Sequence, residues 1–299
     1  MSLLEVKKKI TGVQNTRKIT KAMQLVAASK MKSFQKLAVS SREYAFDLLS
    51  ILQNNISEDF SGTYSETRET GKTLFVLYTS DKGLCGPLNN KITQSLLNSE
   101  KWKSTPMNSR LLITIGKKSE QFALNNKIPT AKAYKGIPEK ITDYDSIKII
   151  NGIIEYWTSR EVKEVVLIAP HYKNSFTFYP ILKTFLPLSP ESIKSTIGPT
   201  DSNEKVTKQK ISNSYMIFTP SREVVGANLE LQVIQASFIQ AFLELKAAEY
   251  SSRMIAMQNA TDAADKITVE LKKQYNKARQ QNITQEIAEL IGASLAINE

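Results

Sequence analysis

Few residues in this chain carry the chemistry that enzymes and metal sites need. Cys85 is the only cysteine and His171 the only histidine among the 299 residues. A nucleophilic cysteine needs a base and an orienting group beside it, and structural zinc sites take several cysteine or histidine ligands. The two residues follow different strand-like runs, so we predict a buried structural thiol at Cys85. We predict no metal site, no catalytic residue and no intramolecular disulfide.

Asp143 and Asp145 are a pair of carboxylates that could in principle take part in acid–base chemistry. Both stand at the predicted start of a helix, where aspartate stabilises unbonded backbone amides and interacts favourably with the helix dipole. We therefore predict that they are helix-start residues.

Two glycine-containing segments deserve comparison with nucleotide-binding loops. Gly71-Lys72-Thr73 is similar to the end of a phosphate-binding loop, but Glu66 occupies the position of that loop's first glycine, and its carboxylate would repel phosphate. Segment 79–86 leaves a predicted strand at its carboxyl end, where open α/β sheets bind ligands. It lacks the glycine spacing of a dinucleotide fingerprint, so it is either a small-molecule loop or a tight connection. No cofactor is predicted.

The strongest local signal is electrostatic. The chain has a formal net charge of +11, and residues 6–42 contain ten basic residues and no acid. These residues are Lys7, Lys8, Lys9, Arg17, Lys18, Lys21, Lys30, Lys32, Lys36 and Arg42. Nucleic acid and an acidic protein surface would explain such a face equally well.

The two ends of the chain are predicted to be long helices. Residues 13–61 and 227–291 contain neither glycine nor proline, and as unbroken helices they would be about 73 Å and about 97 Å long. Alternating spacings of four and three define an apolar or small-residue seam on each helix. The first seam is Val6, Ile10, Val13, Arg17, Thr20, Gln24, Ala27, Met31, Phe34, Ala38, Ser41, Ala45, Leu48 and Leu52. The second is Ile234, Phe238, Ala241, Leu245, Ala248, Ser252 and Ile255, continued by Ala260, Ala264, Ile267, Leu271 and Ala278.

The predicted fold is therefore α/β plus coiled coil. We expect helices within residues 1–60 and 214–299 to pair as an antiparallel coiled coil. Between them, residues 72–213 contain short apolar runs at 74–78, 111–115 and 165–169. These runs alternate with helix-like segments at 88–99, 117–125 and 144–159, the order of a Rossmann-like α/β domain with a mainly parallel sheet. Segment 196–213 is predicted to be a loop, and 215–219 a last strand.

The sequence predicts a soluble or peripheral protein of a reducing compartment. The longest stretch without charge, 231–243, has 13 residues and three glutamines, whereas a membrane span needs about 20 predominantly apolar residues.

Four segments closely resemble signatures of the F-type ATP synthase gamma subunit family. Segment 15–30, NTRKITKAMQLVAASK, resembles its N-terminal signature. Segments 253–264, RMIAMQNATDAA, and 275–287, YNKARQQNITQEI, resemble its C-terminal one, and segment 79–89 resembles a third. The likeness covers the whole chain. The departures are Lys82 for the usual arginine, Pro87 for glycine and Tyr250 for a common histidine.

The resemblance implies a non-catalytic central rotor shaft that couples transmembrane proton flow to ATP synthesis or hydrolysis. Its paired helices would stand inside a ring of three alpha and three beta subunits. Its α/β domain would lie near the epsilon subunit and the membrane c-ring, on the cytoplasmic face of a bacterial plasma membrane. By resemblance, the contacts with the ring are Lys18, Lys21, Met23, Arg253, Gln280, Thr284 and Glu286. The basic ones would face acidic catch loops of the beta subunits. A nucleic-acid-binding coiled coil and a dinucleotide enzyme are the alternatives.

Overall fold

The computed structural model describes residues 3–55, 62–189 and 219–297. Its helices are α1 (Leu3–Asn55), α2 (Leu88–Asn98), α3 (Glu100–Ser104), α4 (Lys117–Asn125), α5 (Asp143–Thr158) and α6 (Arg222–Ile297). Its strands are β1 (Lys72–Tyr78), β2 (Arg110–Ile115), β3 (Lys132–Tyr134), β4 (Val162–Asn174) and β5 (Thr177–Leu186). The predicted loop 196–213 lies outside the described residues, as do residues 215–218 of the predicted last strand.

The described residues form two compact units. One contains the chain up to Ala28 together with the chain from Arg253 onward, and the other contains Ser29–Ser252. In the described ranges, no helix combines the length and the apolar character needed to cross a bilayer.

The sheet belongs to the second unit and has the strand order β3-β2-β1-β4-β5. Strands β1 to β4 run parallel to one another, and β5 returns antiparallel to β4 through a tight hairpin. The structure thus confirms the predicted class, a mainly parallel α/β sheet together with long terminal helices. The sequence did not predict β3 and β5.

Strand β1 is the centre of the core, and it is covered on both faces. Successive side chains of a strand point to opposite faces, so Phe75 and Tyr78 lie on different sides of the sheet. Phe75 packs edge-to-face on Trp102 with ring centroids 4.8 Å apart. Tyr78 stacks on Phe238 of α6 at 5.8 Å and also contacts Phe242. Burial on both sides explains why β1 is continuously apolar instead of alternating.

Helix α5 begins with a capping box, which confirms the interpretation of the two aspartates. The Asp145 amide donates to the Thr142 hydroxyl, and the Asp145 carboxylate accepts from the Thr142 amide. Asp143 lies in the same first turn. Both carboxylates therefore stabilise the helix start.

Gly116 joins β2 to α4 at a place where no side chain fits. Its φ is +98°, and a β-carbon there would lie 2.2 Å from the Thr79 carbonyl oxygen. The Thr79 hydroxyl accepts a 2.7 Å hydrogen bond from the Ser119 amide in the first turn of α4. The close approach of backbone to backbone holds α4 at the carboxyl end of the sheet.

We predict that Gly116→Ala lowers the free energy of unfolding by at least about 3 kcal/mol, because the methyl group meets a rigid carbonyl. Gly136→Ala is the matched control: its φ is +68°, but nothing lies within 4 Å of the added carbon. We expect about 1 to 2 kcal/mol there, from backbone strain alone. Urea unfolding of both variants checks this, and equal losses would contradict the packing explanation.

Candidate functional site

In the first unit, α1 and α6 pair in antiparallel fashion. Three side-chain contacts cross the pair: Arg17 with Asp265, Thr20 with Thr261, and Gln24 with Gln258. In each contact the two residue numbers sum to 281 or 282. This register places the start of α1 at Leu3 opposite about residue 279 of α6.

Small and hydroxyl-bearing residues fill the seam of this pair. Ala27 is buried on α1, and on α6 the buried positions include Met257, Thr261, Ala264 and Thr268. Each threonine hydroxyl donates a 2.8 Å hydrogen bond to the carbonyl four residues earlier. A threonine satisfied in this way can occupy a seam as a small side chain.

The seam predicted for α6 is correct at Ala264 and wrong at Ile267. Ile267 is 49% exposed, and the seam runs through Thr268 instead. The spacing of four and three holds, but residue type alone favours the apolar isoleucine over the neighbouring threonine. The backbone hydrogen bond that makes Thr268 suitable cannot be read from residue type alone.

Beyond residue 279, α6 continues without α1 beside it. All side chains of residues 279–291 whose burial is described are exposed. Among them Ile283, Ile287, Leu290 and Ile291 follow the i, i+4, i+7, i+8 spacing of one helix face. Their exposures range from 45% to 70%. Sequence reasoning missed this stripe, although its spacing was visible.

Three of the predicted contact residues lie on this single-helix end. Gln280, Thr284 and Glu286 are all exposed. The Thr284 hydroxyl donates to the Gln280 carbonyl at 2.9 Å, which leaves its methyl group and oxygen at the surface. The geometry makes these side chains accessible, and their role as ring contacts stays a prediction.

The four other predicted contacts differ in accessibility. Lys18 and Lys21 are exposed and lie one turn apart on α1, and within the described ranges neither has an ion pair. Met23 is half-buried. Arg253 is only 7% exposed, so most of its side chain is covered by the chain itself. The two lysines therefore offer charge to a partner, and Arg253 offers little surface.

The β1–α2 connection, residues 79–87, satisfies its polar groups internally. Asn89 accepts from the Ser80 amide at 3.1 Å and donates to the Cys85 sulfur at 3.2 Å, and the Ser80 hydroxyl donates to the Lys82 carbonyl at 2.7 Å. Cys85 is 2% exposed, which confirms the predicted buried thiol. These contacts are those of a tight connection. In the part of the chain that is described, no group of His, Cys, Asp and Glu side chains has metal-site geometry.

Comparison with known proteins gives a consistent result over the whole chain. A family model described as ATP synthase matches residues 2–297. The chain is 32% identical over 295 residues to the ATP synthase gamma chain of Glaesserella parasuis serovar 5, with 98% of each chain covered. It is 33% identical over 303 residues to that of Polynucleobacter asymbioticus, with 99% of each covered.

Solved structures share the fold. The chain matches the central stalk and c-ring structure of Tetrahymena thermophila mitochondrial ATP synthase with a TM-score of 0.56 and 24% identity, covering 81% of this chain and 99% of that one. It matches the Euglena gracilis mitochondrial ATP synthase structure of OSCP, F1 and c-ring with a TM-score of 0.63 and 15% identity. That match covers 99% of this chain and 94% of the other.

The close seam generates a prediction about side-chain size. Thr261→Leu should destabilise the helical pair by about 1 to 3 kcal/mol, because the larger side chain overpacks the contact with Thr20. Ala263→Leu, two positions on and exposed, should change stability by no more than about 0.5 kcal/mol. Hydrogen exchange of the α6 amides between residues 254 and 275 measures the difference. Faster exchange in both variants, or in neither, would contradict the seam assignment.

Proposed function

The chain belongs to the ATP synthase gamma chain family, and from this membership we propose that it is the central-stalk rotor of a rotary F-type ATP synthase. Rotation of its asymmetric shaft couples transmembrane proton flow to ATP synthesis or hydrolysis at the beta subunits. The chain itself catalyses no reaction and binds no cofactor. It is a peripheral component of the complex, on the cytoplasmic face of a bacterial plasma membrane.

The observation that carries this proposal is the single-helix end of α6. The apolar stripe from Ile283 to Ile291 is exposed among the described residues, and such a stripe is costly in water. An isolated helix is marginal without tertiary packing. A narrow, largely apolar bore formed by alpha and beta subunits would cover the stripe on all sides. Gln280, Thr284 and Glu286 would then meet the wall of that bore.

The two exposed lysines provide a second proposed contact with the ring, on the part of the shaft where α1 and α6 are paired. Lys18 and Lys21 lie one turn apart, without intrachain acids to neutralise them in the described residues. Acidic catch loops of the beta subunits would complement them, with Met23 beside them as an apolar contact. Arg253, being mostly buried, would act from within the pair. Such charge complementarity orients a contact more than it strengthens it.

Asymmetry of the shaft accounts for its effect on three chemically equivalent beta subunits. Around residues 6–28 the shaft has a basic helix on one side and α6 on the other, and beyond residue 279 it is one helix. Each beta subunit therefore meets a different surface. If each surface favours a different nucleotide affinity, rotation moves those affinities around the ring.

The α/β domain supplies the other partners of the rotor. We propose that it contacts the epsilon subunit and the membrane c-ring, so that torque enters through the sheet and leaves through the helices. The dinucleotide enzyme loses support because the polar groups of segment 79–86 hydrogen-bond within the connection and with Asn89. The nucleic-acid-binding coiled coil loses support because the proposed rotor function gives the basic helix a protein partner. No nucleic-acid partner is proposed.

Affinity purification of the tagged chain from detergent-solubilised membranes tests the assembly. We expect the alpha, beta and epsilon subunits to co-purify in stoichiometric amounts together with the c-ring. Recovery of the chain without alpha and beta subunits would refute the proposed function.

The lysine contact can be tested separately. Lys18→Glu with Lys21→Glu replaces attraction to acidic loops by repulsion, so ATP-driven proton pumping in vesicles should fall while hydrolysis persists. The complex should still assemble, because exposed ion pairs contribute only about 0 to 1 kcal/mol each. The measurement is the ratio of pumping to hydrolysis.

Lys32→Glu with Lys36→Glu is the matched control, since both lysines are exposed on α1 and lie outside the proposed contact set. We expect a normal ratio for this pair. An unchanged ratio in the Lys18 and Lys21 variant would show that these charges do not carry coupling. Equal losses in both variants would point to net charge alone.

A further inference from the structure

A buried carboxylate joins three elements within the second unit. Glu244 of α6 is 1% exposed. Its Oε1 accepts from the Arg42 guanidinium of α1 at 2.9 Å and from the Gln240 amide at 2.8 Å. Its Oε2 lies 2.8 Å from His171 Nδ1 on β4 and accepts a 3.4 Å contact from the Tyr172 amide. One side chain thus contacts α1 and β4 from α6.

A second cation, Lys183 of β5, completes the cluster. Burial lowers the pKa of Lys183 to about 8, and the Glu244 charge opposes this shift. The pKa of Glu244 lies below its ordinary value: burial alone would raise it, but the His171 hydrogen bond and the two nearby cations outweigh burial. The groups facing this carboxylate are therefore Arg42 from α1, His171 from β4 and Lys183 from β5. It is ionised at neutral pH.

A contribution to folding stability does not explain the charged cluster around Glu244 well. A buried ion pair repays its desolvation only when its remaining polar atoms are bonded, and an apolar replacement is often as stable. Here Arg42 Nε and Gln240 Oε1 are buried without a hydrogen-bond partner. The charges instead favour one orientation of the helices relative to the sheet. The hydrophobic effect has no preferred direction, whereas hydrogen bonds to an ion favour one register and one rotation of a helix.

We propose that Glu244 is a positioning residue for torque transfer, whose carboxylate locks α1 and α6 to strand β4 so that helices and sheet turn as one body. This inference rests on the proposed rotor function and deepens it. Torque that enters through the sheet reaches the helices without slip only if their register to the sheet is fixed. Removing the charge would let the helices move against the sheet while the apolar core keeps the domain folded.

The test is Glu244→Gln in the complete ATP synthase, reconstituted in vesicles. We expect hydrolysis to persist while the ratio of pumping to hydrolysis falls about threefold or more, within the range seen for residues that modulate coupling without contacting either site. A role in stability alone would lower both rates in proportion to the amount of complex. An assembled complex with a normal ratio would overturn the proposal.

Glu230→Gln provides the matched control on the same helix. Glu230 is fully buried and accepts from the Ser65 hydroxyl and the Tyr64 amide, and among the described residues it has no cation partner. Burial raises its pKa, so an amide is a mild change there. We expect a normal ratio. A loss equal to that of Glu244→Gln would show that any buried change on α6 uncouples the rotor, which overturns the specific role.

A second variant decides the matter if Glu244→Gln fails to assemble. Arg42→Met, Lys183→Met and Glu244→Leu together remove every charge of the cluster and keep its volume, so the chain should fold and assemble. A reduced ratio in this triple variant supports the lock, and a normal ratio overturns it. Failure of the rotor function itself would be distinguishable, because the wild-type complex would then show no hydrolysis-driven pumping.

Discussion

The register between α1 and α6 is the constraint on which the rest of the helical pair depends. Small and hydroxyl-bearing side chains at Thr20, Ala27 and Thr261 let the two backbones approach closely. In this register, in which the residue numbers of each contact sum to 281 or 282, α1 covers α6 only as far as about residue 279. The remaining turns of α6 must be a single helix, whatever their side chains are. The surface offered to partners is therefore a consequence of unequal helix length and a fixed register.

In the second unit, which contains residues 29–252, helix α6 is enclosed by other elements. From Val233 to Ser252 every side chain of α6 is buried or half-buried. A helix covered on most sides cannot be strongly amphipathic, and the polar groups it carries must find partners inside. Glu230 does so through Tyr64 and Ser65. Glu244 does so through Arg42, His171 and the Gln240 amide, although the Gln240 Oε1 stays without a partner. These buried polar groups make the packing of α6 specific to one arrangement.

The pattern of apolar residues, glycines and prolines along the sequence predicts most of the architecture. Runs of consecutive apolar residues identified β1, β2 and β4, because a strand buried on both faces has no polar positions. Long segments without glycine or proline identified α1 and α6, and aspartates at a helix start identified α5. Strand β5 escaped because Lys183 and Pro180 interrupt its apolar pattern. The Glu244 charge lies near enough to oppose the lowering of the Lys183 pKa by burial, and Glu244 is 61 positions away in sequence.

The candidate site was predictable only in part, for a related physical reason. Exposure of Lys18 and Lys21 follows from their places between seam positions, which the sequence shows. The threonine seam depends on hydrogen bonds to backbone carbonyls and on a partner helix, which the sequence does not show. Nor does the sequence show that Arg253 is buried. The exposed stripe from Ile283 to Ile291 has a regular spacing, but spacing alone does not tell an unpaired helix end from one more turn of coiled coil. Only the register decides between them, and any surface that binds a helix end left uncovered in this way also stabilises it.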